Sequence, residues 1–526
     1  MIRQLTFLAL PIVIMLVSVA CAERAEHEPA SEPESQVTTA FPKAEIAWFE
    51  GSVEDAFSAA AMQNKPVFLY WGAEWCPPCH ELKATIFQRP EFIRQSRLFL
   101  PVYLDGDSER AQLYGEQFGV FGYPTVIIFN PEGQEITRIP GGMNIEQYVG
   151  VLDLALNAMR PVSELVDAVR NGQALSDADW NLLANYSWGQ DQGRVLGDGD
   201  LFSTARLLAQ ACPADQPVAR SQLQMLALTT WLRDEGRDLA MAGELTSSLQ
   251  TVLADDALTE ANLTAFLFNS GRMIELLSAE GEERTHLAQQ LEALNLATYQ
   301  ASSTTTLIRL EALFGWLDCQ LALLPEDSSL PEDKQQWLFT EVEKTRQQLN
   351  SYQQHAAVNI IGQLYFQAGM VEQSREILAY GMEVSKQPYY FMSSMGFIER
   401  ELGNNEEALN WYRKAWDHSK GAATRVQWGT NYLLALLKLS PGDLESIDLA
   451  GEAVLTELGE QQAGLHHRSA ARMGRLSASL LEWSEDEPQR QQVLQKLRAQ
   501  MNGICAAQSE VQPETCDSFL QPPQAA

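Results

Sequence analysis

The chain has 526 residues, 45% of them hydrophobic and 20% charged, ordinary proportions for a globular protein of roughly two to four domains. Its 37 Lys and Arg stand against 69 Asp and Glu, a net charge of −32 that argues against nucleic acid and anionic membrane surfaces as partners.

Residues 1–22 read as a targeting segment. Arg3 supplies a positive start, Leu5 to Val19 an apolar core too short for an ordinary membrane span, and small residues follow. Ser18-Val19-Ala20-Cys21 resembles a bacterial lipobox, in which Cys21 is lipidated after cleavage, although Ser18 stands where leucine is usual. Plain cleavage after Ala20 or Ala22 is the alternative. On either reading the mature chain leaves the cytoplasm for the periplasm, and on the first a lipid anchor on Cys21 is its one link to the membrane. Setting Cys21 aside leaves Cys76, Cys79, Cys212, Cys319, Cys505 and Cys516, an even set compatible with an oxidising compartment. Residues 23–41 lack apolar periodicity and read as a flexible tether.

From 42 to 158 the patterning alternates between strand and helix. Ile46–Phe49 is expected as a first strand and Val53–Gln63 as a helix, then a strand at 67–72. A helix containing Glu81–Phe87, a strand Leu98–Leu104 and a helix near 108–117 follow. Val126–Phe129 is expected as a strand, Pro131-Glu-Gly133 as a tight turn into Glu135–Ile139, and Ile145–Ala158 as the closing helix.

The chemistry concentrates at Trp75-Cys76-Pro77-Pro78-Cys79-His80, between the 67–72 strand and the helix. Pro77 suits a first helical position, which puts Cys76 at the N-cap, where free N–H groups favour a thiolate. Pro78 has no N–H, so the Cys79 amide is the main donor left to the Cys76 sulfur. Cys79 is then placed to attack a mixed disulfide formed on Cys76. Half of a zinc site is one alternative, but no second ligand pair at suitable spacing follows; a purely structural disulfide is another. No metal or organic cofactor is implied. His80 could raise thiolate character or do nothing. His466-His467 lacks a partner cluster and reads as surface.

Together with Lys65-Pro-Val-Phe-Leu-Tyr-Trp71, Phe87, Pro90 and Gly122-Tyr-Pro-Thr125, the motif resembles the thioredoxin-like superfamily, in the style of the DsbD C-terminal module. That resemblance implies an α/β thioredoxin fold over 42–158, with Pro124 cis and facing the cysteines. It further implies catalytic Cys76 and Cys79 forming a redox disulfide. Trp75, Tyr123 and Pro124 would shape the substrate-docking face, Tyr123 through its backbone. Protein thiols and disulfides would be the substrates, and a membrane electron donor of the DsbD type a partner. Two acids of that family are absent: Tyr70 and Lys83 occupy their positions, and Glu74 and Glu81 are the nearest carboxylates.

Past Pro161 the texture is all helical to about 500. Gly362, Gly369, Ser374, Leu378 and Gly381 recur as Gly396, Gly403, Ala408, Tyr412 and Ala415, each 34 residues on (362 to 396). This resembles the tetratricopeptide repeat (TPR). Glu399 stands where an aromatic is usual, and Trp428, Gly429, Ala450 and Val454 suggest a third copy. The expected division is diverged helical repeats at 161–350, TPR-like repeats at 351–500 and a C-terminal tail at 501–526, where Cys505 and Cys516 could close a structural disulfide. The functional reading is an exported thiol–disulfide oxidoreductase with a helical partner-binding region. The alternative is a TPR-type scaffold whose thioredoxin unit only docks partners.

Overall fold

The computed structural model describes residues 45–521, apart from 141–144, 158–159, 198, 303, 326–327, 462–463, 486, 508–515 and 517. The targeting segment with Cys21, the tether and most of the tail lie outside the described residues.

The N-terminal part is built from α1 (Val53–Gln63), β1 (Val67–Gly72), α2 (Pro77–Leu82), α3 (Pro90–Gln95), β2 (Leu100–Asp105), α4 (Glu109–Gln117), β3 (Thr125–Phe129), β4 (Glu135–Ile139) and α5 (Ile145–Asn157). The four strands form one mixed sheet in the order β2-β1-β3-β4, with β1 parallel to β2 and the other pairs antiparallel. Every residue of β1 is buried, because both faces of the sheet are covered. Val67, Leu69 and Trp71 pack with Ile127 and Phe129 on one face, toward Val53, Ala56 and Ala111. Phe68 and Tyr70 pack on the other with Phe87, Phe92 and Tyr148, as a period of two requires. This is a thioredoxin-like domain.

Ile46–Phe49 is not a strand, contrary to expectation. Only Phe49 reaches the sheet edge, donating its N–H to the Pro101 carbonyl at 2.8 Å. The segment is held by Trp48, whose ring lies 5.8 Å from Phe87 and 6.0 Å from both Tyr70 and Tyr103. The active-site helix also ends sooner than its pattern suggests. α2 stops at Leu82 and the chain continues as a π-helical turn, Lys83–Phe87, into α3.

The rest is mostly helical, and its core begins without a break. Tyr148, Val151 and Leu152 of α5 share one apolar cluster with Val162, Leu165, Trp180 and Leu183. Further along, helices pair in sequence: Ser351–Gln367 with Val371–Val384, Tyr389–Glu401 with Asn405–His418, Ala422–Leu439 with Leu444–Gly459. At each pair a glycine admits a larger residue. A Cβ would lie 3.0 Å from Leu378 at Gly362, 3.0 Å from Tyr412 at Gly396 and 2.8 Å from Val454 at Gly429. Glu399, the out-of-pattern acid, is buried but held by Arg375 at 2.7 Å and Asn404 at 2.7 Å.

Pro488–Ala507 is a helix, so regular structure runs past the expected start of the tail at 501. Phe519 and Leu520 are buried in the helical core, and the Leu520 N–H donates to Ser477 Oγ at 2.7 Å. Cys505 and Cys516 are joined in a disulfide. Among the described residues, no helix is long and apolar enough to cross a membrane.

Candidate functional site

β1 ends at Gly72 and delivers the chain to Cys76, the N-cap of α2. The Cys76–Cys79 pair is a disulfide, with the Cys79 N–H directed at Cys76 Sγ across 3.2 Å. The Tyr123–Pro124 peptide is cis. Tyr123 and Trp75 pack against the two cysteines, their rings 5.9 Å apart. The backbone N–H and C=O of Tyr123 make no hydrogen bond among the described residues, while Gln190 donates to the Pro124 carbonyl. The residues expected at one site are therefore together: Trp75, Cys76, Cys79, Tyr123 and Pro124.

The face expected for substrate docking is covered in the folded chain. Cys76 is 2% exposed and Cys79 0%. The helical region lies over this side of the sheet rather than behind it. Ser351–Gln367 packs along α2, and His467–Ser484 packs along α4. Trp75 contributes to the same apolar cluster as Tyr389, Trp416 and Met473.

Asp107, just past β2, is the polar centre of this contact. Trp75 Nε1 donates to its Oδ2 at 2.8 Å, Thr424 Oγ1 donates to Oδ1, and Arg468 Nη2 reaches Oδ1 at 3.1 Å. The Arg468 guanidinium also stands over the Trp75 and Tyr123 rings, 5.0 and 5.4 Å from their centroids. The turn before Ala422–Leu439 comes so close that a Cβ on Gly421, at φ +90°, would sit 2.7 Å from the Asp107 carboxyl. His466 pairs with Glu116, and His467 is half-buried so close to α4 that a Cβ on Gly115 would meet it at 2.8 Å. The two histidines read as surface are interface residues. Burial lowers the His467 pKa to about 4, with Arg468 adding to the effect.

A second contact involves α2 itself. The His80 ring lies 5.6 Å from that of His355, whose Nδ1 is 2.9 Å from Ser385 Oγ. Burial, and then the neighbouring His80, lower His355 to about 4, so its imidazole is neutral at ordinary pH. His80 is thus half-buried against the helical region, not free on a helix surface. Burial raises Glu81 to about 7; burial and then the Glu81 charge raise Glu311 to about 8. Tyr70, at the missing acid's position, is buried with its hydroxyl unpartnered among the described residues, and burial pushes its pKa up. Burial lowers Lys83, opposed by Glu74 and Asp105.

Sequence reasoning missed Asp107, Thr424, His355, Glu311 and Arg468. No local pattern marks them, because each acquires its role only when the helical region folds back over α2. Cys212 and Cys319 are free and buried, and burial raises their thiols to about 11 and about 12. No cluster of three or more His, Cys, Asp or Glu that could hold a metal occurs among the described residues.

Comparison with known proteins places this geometry. The model of a thioredoxin-like domain matches residues 53–156. The chain is 35% identical over 95 residues to the thiol:disulfide interchange protein DsbD of Yersinia pestis (strain Pestoides F), covering 17% of this chain and 16% of that protein. The corresponding protein of Ralstonia nicotianae is 30% identical over 159 residues, covering 28% of this chain and 26% of the relative. A solved structure titled DsbH oxidoreductase is 23% identical, covering 25% of this chain and 96% of that one, with a TM-score of 0.20. The matched stretch thus spans about a sixth to a quarter of these DsbD proteins' length.

Proposed function

We propose that this thioredoxin-like domain makes the chain an exported thiol–disulfide oxidoreductase acting on protein disulfides or dithiols. The observation that carries it is the Cys76–Cys79 disulfide at the start of α2, with Cys79 N–H on Cys76 Sγ and the cis Tyr123–Pro124 loop against it. In the reducing direction the Cys76 thiolate attacks one sulfur of a substrate disulfide. That S–S bond breaks, a substrate thiolate leaves, and a mixed disulfide remains on Cys76. The Cys79 thiolate then attacks the Cys76 sulfur, releasing the second substrate thiol and closing the Cys76–Cys79 bond. Two electrons pass from protein to substrate, and the reverse sequence oxidises a dithiol.

Trp75, Tyr123 and Pro124 are the docking residues of this reading, and Tyr123's unbonded backbone is available to pair with a substrate segment. Its proposed organisation is a redox unit at 42–158, diverged helical repeats at 161–350 and TPR-like repeats at 351–500 that bind partners. A lipid anchor on Cys21 in the periplasm and a DsbD-type electron donor complete it. The full-length Cys79→Ser protein should accumulate mixed disulfides with client proteins, lost on adding Cys76→Ser. Recovery of no adduct dependent on Cys76 contradicts the proposal.

The burial of Cys76 favours a second reading, a scaffold in which the thioredoxin unit only docks partners. In that case Cys76→Ser alone leaves the protein's biological activity unchanged.

A further inference from the structure

Arg468 occupies its place poorly for a purely structural residue. It is deeply set, its side chain 11% exposed, and only Nη2 finds a partner, in Asp107. Its Nε and Nη1 are buried without a hydrogen bond among the described residues. Unmet buried donors count against a contact. What holds the guanidinium is the shape and charge of the receiving surface: the Asp107 carboxylate on one side and the faces of Trp75 and Tyr123 on another. Trp75 adjoins Cys76, Tyr123 precedes the cis-proline, and both pack on the cysteine pair. A partner whose sulfur reaches Cys76 must lie across this surface, and Arg468 is in its way.

We propose that Asp107, Trp75 and Tyr123 form a cation-binding subsite of the substrate-docking face. In the closed molecule Arg468 fills it as an internal substitute for a basic side chain of the protein substrate. The inference rests on the oxidoreductase reading above. A client that displaces Arg468 leaves Asp107 without its cation. A client carrying Arg or Lys beside its reacting cysteine restores the ion pair and the stacking, whereas an acidic residue there adds repulsion. The subsite therefore selects substrates whose cysteines are flanked by basic residues, and the helical region gates access to it.

The test uses the full-length Cys79→Ser chain, in which Cys76 is a thiol. Two reagents of similar size are compared, 2-(trimethylammonio)ethyl and 2-sulfonatoethyl methanethiosulfonate. Each transfers its alkylthio group to the Cys76 thiolate, forming a mixed disulfide and releasing methanesulfinate, and the Cys76 peptide is followed by mass. Arg468→Ala should accelerate both reagents by about tenfold or more, as expected when a buried thiol is uncovered. It should also leave a preference for the cationic one. Adding Asp107→Asn should cut the cation-to-anion rate ratio by about threefold or more. Glu109→Gln, which removes an equal charge from the exposed first turn of α4, should leave the ratio unchanged and so separates the subsite from the overall charge of −32. Arg468→Gln serves if the alanine variant does not fold. No acceleration on removing Arg468, or a ratio indifferent to Asp107, overturns the subsite. The oxidoreductase reading is judged separately by absolute rate: a Cys76 thiol no faster than free glutathione in the opened variant counts against that reading, while the ratio still decides the subsite.

Discussion

Glu81 on α2 and Glu311 on Thr306–Leu321 are two carboxyl groups from distant parts of the chain, both set among surroundings that disfavour their charge, with the Glu81 charge adding to the effect at Glu311. Burial holds Glu81 at about 7 and Glu311 at about 8, against 4.5 for a free side chain. The folded chain therefore binds more protons than the unfolded chain across that interval. The pair's contribution is intact below pH 4.5 and is lost as pH rises through 7 and 8. Between pH 5 and 8.5 the free energy of unfolding should fall by about 1–3 kcal/mol more in the wild type than in the Glu81→Gln/Glu311→Gln protein. Denaturant titrations at the two pH values measure this, and equal slopes in the two proteins refute the placement. Loosening around Glu81 bears on function, since Glu81 follows Cys79 by two residues on the same helix.

At the scale of elements, small residues decide how closely helices approach. A methyl group on Gly429 would lie 2.7 Å from the Trp416 ring and 2.8 Å from Val454. Gly429→Ala should destabilise the chain by about 1–3 kcal/mol through overpacking. Gly474 faces open space within His467–Ser484, and Gly474→Ala should instead stabilise by about 0.4–1 kcal/mol. Urea midpoints of the two variants test the contrast, and a loss for both would show that glycine is not being used for helix approach. This layer was legible in the sequence because its signals are local. The continuous apolar, β-prone run Val67–Trp71 reported a buried strand, Pro77 placed the start of α2, and a 34-residue spacing located the helix pairs. Ile46–Phe49 misled for the same reason: its composition suits a strand, but its partner edge offers a single bond at Pro101. The early end of α2 at Leu82 likewise has no marker in the pattern.

For the whole molecule, the consequential fact is the return of the helical region onto the redox face, through Asp107, Arg468 and His355. Their sequence separation hides it: Asp107 and Arg468 are 361 residues apart. Sequence reasoning grouped Trp75, Cys76, Cys79, Tyr123 and Pro124 but did not find what packs over them, since nothing near Trp75 records what covers it. The continuous core across α5 and Val162–Leu183 has a further consequence. A fragment of residues 42–158 would expose the buried faces of Tyr148, Val151 and Leu152. It should bind a hydrophobic dye and lack a cooperative urea transition; a sharp transition without dye binding would show that the redox unit is self-sufficient.

The central claim is that Cys76–Cys79 is a working redox couple and not a staple. Its equilibrium with glutathione in the full-length protein, read by mass on the peptide carrying both cysteines, gives the reduction potential directly. The oxidoreductase account predicts a value between about −270 and −120 mV, the span of thioredoxin-fold catalysts, whereas a value below about −300 mV, typical of structural disulfides, contradicts it.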